Sequence, residues 1–421
     1  MNKIEKYVYD AVKFAPWLKF IIRNLYQSVF DLLPRKKEFS IQPIDFKEGY
    51  FFGFHDRTPF SFDNSKILTN GFDIPLRMPK NEEALAVGYF NFTNGKLEDF
   101  VKVSESFAWN YHKGCRLQWL DNTNLIFNTS LDGKLISKII NITSDEEKII
   151  DFPIDTLSHD GLRATTFSYE RLHELMPGYG YNYKDNGFLD ENMPKKTGLF
   201  LVDLVNNKIE LVVSLYDLAI NINLDSSAEN YRHYVTHSAF SLDGRYISFL
   251  HRWTLDDIRA RKTRLVIYDL HEKKYIVLPT EGMVSHYVWN SVNQIIAYST
   301  IEGIDCHVLF NVPNVEEYKK VVPDILNSDG HQSFITKSTF VTDIYPDKYR
   351  NSKIYKVDVN NDKVELLASV YSPKRYQTKD FKNHIACDLH PRVAPNGKYI
   401  SFDSVKSGKR SLCIMKINSN I

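Results

Sequence analysis

Four histidines stand at one phase of a sequence repeat. His237, His286, His331 and His390 each lie three residues before an apolar marker, namely Phe240, Trp289, Phe334 and Val393. The same offset carries Arg116 before Trp119 and Arg57 before Phe60. The chain has 13 histidines, so four at one offset is a pattern and not an effect of composition. In a repeat that closes radially, equivalent positions converge on the central axis. Imidazoles meeting a carboxylate there form a donor set for a divalent metal, with Mn, Fe, Ni or Zn favoured over Ca. Asp388 lies two residues before His390 and points to the same side of an extended segment. His384 is a further candidate on the loop leading in. The competing reading is that repeated histidines only orient turns.

Other residues extend the list. His55-Asp56-Arg57 is a charge cluster suited to the rim of a channel, and Arg232 and Arg252 are further guanidinium candidates. His251-Arg252-Trp253 ends a strand pattern and is placed to face a ligand. His159, inside Ser-His-Asp-Gly, reads as a turn residue, and His271 as an exposed strand end. The segment around residues 168–196 holds Met-Pro-Gly-Tyr-Gly-Tyr-Asn-Tyr, whose Tyr179, Tyr181 and Tyr183 could stack on sugar rings. It is expected to be a long loop over one mouth of the channel. There is no GxGxxG, Walker loop, HExxH or GxSxG, so nucleotide, zincin and hydrolase signatures are absent.

These residues need a frame, and from residue 50 onward the sequence supplies one. An aromatic or apolar marker, a Ser-x-Asp-Gly-like turn and a short apolar strand make one half-unit. Its seven instances begin at Phe60, Trp119, Leu157, Phe240, Trp289, Phe334 and Val393. Asp-Gly and Asn-Gly centres are tight hairpin turns because glycine and asparagine tolerate positive φ. Seven apolar strands alternate with them, among them Leu199-Phe-Leu-Val-Asp-Leu, Leu265-Val-Ile-Tyr-Asp-Leu and Ile354-Tyr-Lys-Val-Asp-Val. Successive half-units lie 59, 38, 83, 49, 45 and 59 residues apart, and pairs at such periods predict an all-β fold, a β-propeller of four-stranded blades. Seven blades fit best; six or eight stay open because the third unit is irregular.

Residues 1–37 differ. Apolar residues from Ile4 to Leu32 recur at three- and four-residue steps, which predicts an N-terminal amphipathic α-helical segment, interrupted near Pro16. It carries eight basic and three acidic residues, with Trp17 and Phe20. A basic amphipathic helix can lie on an anionic membrane surface, or pack on its own domain or a partner. The expected domains are therefore residues 1–37 and a propeller over 45–421.

With Lys+Arg 53 against Asp+Glu 52, the net charge is +1. No global basic field argues for nucleic acid. The four cysteines form no CxxC pair and are no disulfide framework. No signal peptide is legible, and no window offers about 18 uncharged apolar residues. The expectation is a cytoplasmic protein with reduced thiols, peripheral at the inner face of a membrane where the N-terminal helix lies on lipid.

Two stretches carry a family resemblance: Val284-Ser-His-Tyr-Val-Trp and Leu389-His-Pro-Arg-Val-Ala-Pro-Asn-Gly-Lys-Tyr-Ile-Ser-Phe-Asp. With His237-Ser-Ala-Phe-Ser-Leu-Asp-Gly and Asp329-Gly-His-Gln-Ser-Phe, they make residues 230–415 resemble the oligogalacturonate lyases, which are seven-bladed propellers. The Ser-Pro-Asp-Gly-like part is shared with TolB-like propellers. The resemblance implies Mn2+ held by three histidines and a glutamine, a further histidine that abstracts the proton α to a uronate carboxylate, and an arginine on the substrate. His286 and His390 match two ligands. Asp388 stands where the family has its third histidine, and Ile385 where it has glutamine, so His331 or His384 would take that place. His237 matches the base in phase.

On this basis the expected metal ligands are His286, His331, Asp388 and His390. His237, Arg116 and Arg252 are the expected catalytic residues. Arg57, His55, Arg232, Tyr179 and Tyr181 are the expected substrate contacts. The implied cofactor is a divalent metal, Mn2+, and the implied partner an acidic oligo- or polysaccharide. The expected activity is lyase-type β-elimination at a uronate. The alternatives are a membrane-associated cytoplasmic protein of cell-surface polysaccharide biosynthesis, such as a glycosyltransferase, and a non-catalytic propeller scaffold.

Overall fold

The repeated turns explain the repeated motif. In Ser241-Leu-Asp-Gly, the Ser241 hydroxyl meets Asp243 at 2.6 Å and accepts from the Tyr246 amide at 2.9 Å, while Gly244 takes φ 70°. Ser61 and Asp63 repeat this at 2.6 Å with Asn64 at φ 61°, and Ser158 and Asp160 with Gly161 at φ 69°. Each turn reverses the chain between the first and second strand of a sheet. The computed structural model describes residues 37–417 apart from 222–227, 256–257 and 378–381, with isolated positions before residue 37. The amphipathic segment expected over 1–37 falls outside the described residues except at those positions.

Seven antiparallel sheets result; in five the strand order follows the chain, and the sixth and seventh each add an N-terminal strand at their outer edge. The innermost strands are Tyr50–Phe51, Gln118–Trp119, Thr156–Leu157, Arg232–Phe240, Val284–Ser291, Ser333–Thr336 and Arg392–Val393. Every apolar marker except Phe60 lies on one of them, and Phe60 bridges to Ile67. The alternating apolar strands form the third position, as in Gly198–Asp203, Lys262–Asp269 and Asn351–Asp358. The fold is a seven-bladed β-propeller. Its ring closes through the N-terminal side: Ile44–Glu48 is the outer strand of the seventh blade and pairs with Ser411–Lys416. Phe39–Ser40 adds a fifth strand to the sixth blade.

The core lies between blades. Leu250, Leu265, Trp289, Ile295 and Val308 pack the fourth blade on the fifth. Ile126, Ile150, Leu157 and Val202 do so for the second and third. Such burial, at about 25 cal/mol per Å² of apolar surface, leaves the axis free for polar side chains.

Two local devices aim those side chains. The inner strand of the fourth blade is bulged between Thr236 and Ala239, that of the fifth between Val284 and Tyr287. A bulge re-aims the side chain at its extra residue. At the shared offset, Arg116, His237 and His390 take φ 55°, 55° and 46°, a left-handed conformation uncommon for residues with a Cβ.

The insertion at 168–196 is more ordered than a loop. Ser168 caps a helix over Tyr169–Leu175 by accepting from the Arg171 amide at 3.0 Å. Arg171, 1% exposed, donates to the carbonyls of His233, Gly187, Phe188, Glu191 and Asn192. One guanidinium thereby fixes the insertion onto the fourth blade.

Candidate metal centre

Six rings close a circle at the axis. Centre-to-centre distances run 6.3 Å from His237 to His286, 4.1 Å to His331 and 4.2 Å to His390. They continue 6.5 Å to His112, 4.7 Å to Tyr179 and 5.7 Å back to His237. Phe54 forms the floor, 4.7 Å from His237 and 5.3 Å from His390. His55 lies beside it, 5.0 Å from His331, with its Nδ1 donating to the Gln332 carbonyl. The four histidines of the shared offset therefore meet, together with His55 and two rings from outside the offset.

Donor atoms converge within the circle. Ligand atoms of His331, Asp388 and His390 all lie within 4.8 Å of one another. The Nε2 atoms of His331 and His390 are buried without a hydrogen-bond partner among the described residues, a costly state for polar atoms. His286 stands next to His331 but outside this trio, with its Nδ1 3.1 Å from Asp329. Two nitrogens and a carboxylate oxygen suit Mn, Fe, Ni or Zn. The residues present fit a divalent metal.

The electrostatics follow from burial. Desolvation holds His331, His390, His237, His55 and His112 well below the usual imidazole range, so all are neutral at pH 7. Neutral imidazole is the form that ligates a metal or accepts a proton. Burial pushes Asp388 up to about 7, with nearby Asp343 adding to it. Asp343 itself is pushed up to about 6 by burial. Burial also opposes ionisation of Asp329, but His286, a Ser285 hydrogen bond and nearby His331 together outweigh it and hold that carboxyl at about 2.

The remaining expected residues divide. Arg252 is 3% exposed and donates to the Met176 sulfur at 3.0 Å, while its buried Nε has no partner among the described residues. Tyr179 stacks on His112, and His384 stacks on the other side at 4.0 Å. Arg116 is committed elsewhere: it binds both oxygens of Asp56 at 3.0 and 2.7 Å, and the Asp155 carbonyl at 2.6 Å. Arg57 donates to Thr156 and to the Leu157 carbonyl. Tyr181 is stacked on Tyr169 at 4.4 Å inside the apolar core. Arg232 faces Glu174 at 3.6 Å on the rim.

Sequence reasoning did not single out Phe54, His112, Asp329 as a partner of His286, or Asp343. His112 lies four residues before Arg116, off the repeat offset, so no periodic signal marked it. Asp343 is one acidic residue in an ordinary strand.

No family model matches the chain, and no curated protein does. Solved structures do. An oligogalacturonate lyase from Vibrio parahaemolyticus aligns with a TM-score of 0.59 at 13% identity, over 92% of this chain and 99% of that one. The chain has the propeller fold of the oligogalacturonate lyases. An oligogalacturonate lyase in complex with manganese aligns at TM-score 0.45 and 11% identity, over 92% of this chain and 99% of that one. TolB from Acinetobacter baumannii aligns at 0.39 and 11%, over 83% and 80%. At these identities the likeness speaks to fold, and the site must be argued from its own geometry.

Proposed function

We propose that this protein is a metal-dependent enzyme acting on acidic glycans by β-elimination at a uronate. The observation that carries this reading is the pair of unpartnered, buried Nε2 atoms of His331 and His390 beside Asp388. Mn2+ is the proposed ion, held by these three residues with His286 at their edge. When bound, it supplies Lewis acidity to a substrate carboxylate and so stabilises the enolate left by proton loss from the neighbouring carbon.

The chain's own residues supply the rest. His237 is the proposed base. Its Nε2 is buried and has no partner among the described residues, and burial, with Lys113 and Arg252 nearby, keeps it neutral and able to accept a proton. Arg252, with its unpartnered Nε, is placed to take a carboxylate oxygen. Tyr179, stacked over His112, and half-exposed Tyr345 line the side from which a sugar would approach. The fold shared with an oligogalacturonate lyase supports the same substrate class.

The test is direct. Mn2+-loaded protein is mixed with oligogalacturonates and other uronate oligosaccharides, and the ultraviolet absorbance of the unsaturated uronate product is followed. The expected result is product formation that chelation abolishes and Mn2+ restores. Failure of the wild-type protein to bind any divalent cation would overturn the reading.

A further inference from the structure

We infer that Asp343 is a positioning residue that sets both imidazoles of the proposed metal centre: it fixes the tautomer of His331 and anchors the backbone that carries His390. This rests on the metal reading above.

Asp343 lies on Thr339–Ile344, the second strand of the sixth blade, and is 2% exposed. Its Oδ1 accepts from the His331 amide at 2.7 Å and from His331 Nδ1 at 2.8 Å. Its Oδ2 lies 3.0 Å from the same Nδ1 and accepts from the His390 amide at 3.0 Å. An ionised carboxylate only accepts. The proton of neutral His331 is therefore on Nδ1, and the lone pair is on Nε2, the atom that is buried without a partner. Carboxylates behind metal-bound histidines orient them in this way. His390 belongs to the next blade and takes φ 46°; the bond from its amide to Asp343 stabilises that conformation.

Close approach makes the grip possible. A Cβ on Gly330 would stand 1.9 Å from the Asp343 carbonyl oxygen, so only glycine lets the chain before His331 lie against this strand.

The molecule contains its own control. Asp403, in the second strand of the seventh blade, accepts from the Phe52 and Gly53 amides at 3.0 Å each and from Arg392 at 2.9 Å. Gripping the next blade's backbone is thus architecture common to both aspartates. The bond to an imidazole Nδ1 is what sets Asp343 apart.

Asp343→Asn tests the difference. The amide keeps one acceptor, but its NH2 donates towards His331 Nδ1 and drives the proton to Nε2. Mn2+ titration calorimetry should show binding weakened by about 10- to 100-fold. Nitrogen NMR of the imidazole should show His331 switched to the Nε2–H form, with the circular dichroism of the fold retained. Asp403→Asn should lower thermal stability with Mn2+ affinity within about twofold of wild type. If wild type binds Mn2+ and Asp343→Asn binds it equally well, positioning is overturned while the metal reading stands. Equal weakening by both variants also overturns it, because the effect is then structural. If wild type binds no divalent cation, the metal reading itself fails.

Discussion

The imidazoles of His331 and His390 stand 4.2 Å apart, centre to centre, in planes 82° apart. They come from different blades, the sixth and the seventh, and no sequence spacing sets that angle. Packing of two blades sets it, with Asp343 bonded to the backbone of both. A rigid edge-to-face pair brings two nitrogens to one point before any ion arrives, which lowers the ordering cost of binding.

His390→Ala removes one donor of a converging trio. Mn2+ content of the purified protein should fall to background by elemental analysis, and product formation should fall with it. The fold should survive, since His390 sits at the axis and outside the apolar clusters between blades. Retention of a stoichiometric ion by this variant would exclude His390 as a ligand.

His237→Ala separates base from ligand. Mn2+ affinity should stay within about twofold, while turnover should fall by about 10²- to 10⁴-fold, the usual contribution of a positioned general base. Parallel loss of metal and turnover would instead make His237 a ligand.

Arg116→Ala should act on stability. The variant leaves Asp56 with its closest cation gone, next to buried Asp155. Breaking a buried pair by removing one partner costs about 3–5 kcal/mol. Urea unfolding should show that loss, and the residual folded protein should bind Mn2+ normally. An unchanged unfolding midpoint with lost turnover would return Arg116 to the catalytic set.

Gly330→Ala should destabilise the sixth blade. The new Cβ would meet the Asp343 carbonyl at 1.9 Å, and relieving such overpacking costs about 1–3 kcal/mol. Thermal melts should fall accordingly, and Mn2+ binding should weaken because His331 shifts with its neighbour. A melt equal to wild type would show that the strands part freely there.

The apo protein should be acid-sensitive. In the fourth blade Arg264 donates to His251 Nδ1 at 3.1 Å, His251 Nε2 meets His233 Nδ1 at 2.9 Å, and His233 Nε2 donates to the Ala228 carbonyl at 2.9 Å. Burial lowers His233 to about 4 and takes His251 well below its usual value. Both are neutral when folded and titrate near 6.5 when unfolded. The unfolded chain therefore binds more protons between those values, so stability present above pH 6.5 is lost as pH falls towards 4. For His233 alone that is about 3 kcal/mol. Urea midpoints measured in chelator at pH 7.5, 6 and 5 should fall steadily; a flat profile would contradict the buried neutral pair.

Much of the architecture was legible in the chain. Ser-x-Asp-Gly turns and alternating apolar strands are local chemistry, and local chemistry repeats in sequence. Seven blades followed, and so did the convergence of His237, His286, His331 and His390, because a closed ring sends equivalent offsets to one axis.

What the sequence alone could not assign was the use of each polar residue. Arg116 shares the histidines' offset and also has a left-handed backbone, yet its guanidinium meets Asp56, sixty residues earlier in the chain and adjacent only after closure. Tyr179 and Tyr181 are two residues apart, yet one stacks on His112 at the axis and the other on Tyr169 in the core. His112, Phe54 and Asp343 lie off the repeat phase and reach the site because different blades meet there. The sequence by itself determined the strands, the turns and the phase of the histidines, since these depend on neighbours along the chain. Only the tertiary structure decided which side chains are paired and which buried nitrogens are left open, because hydrogen-bond satisfaction in a buried interior depends on neighbours in space.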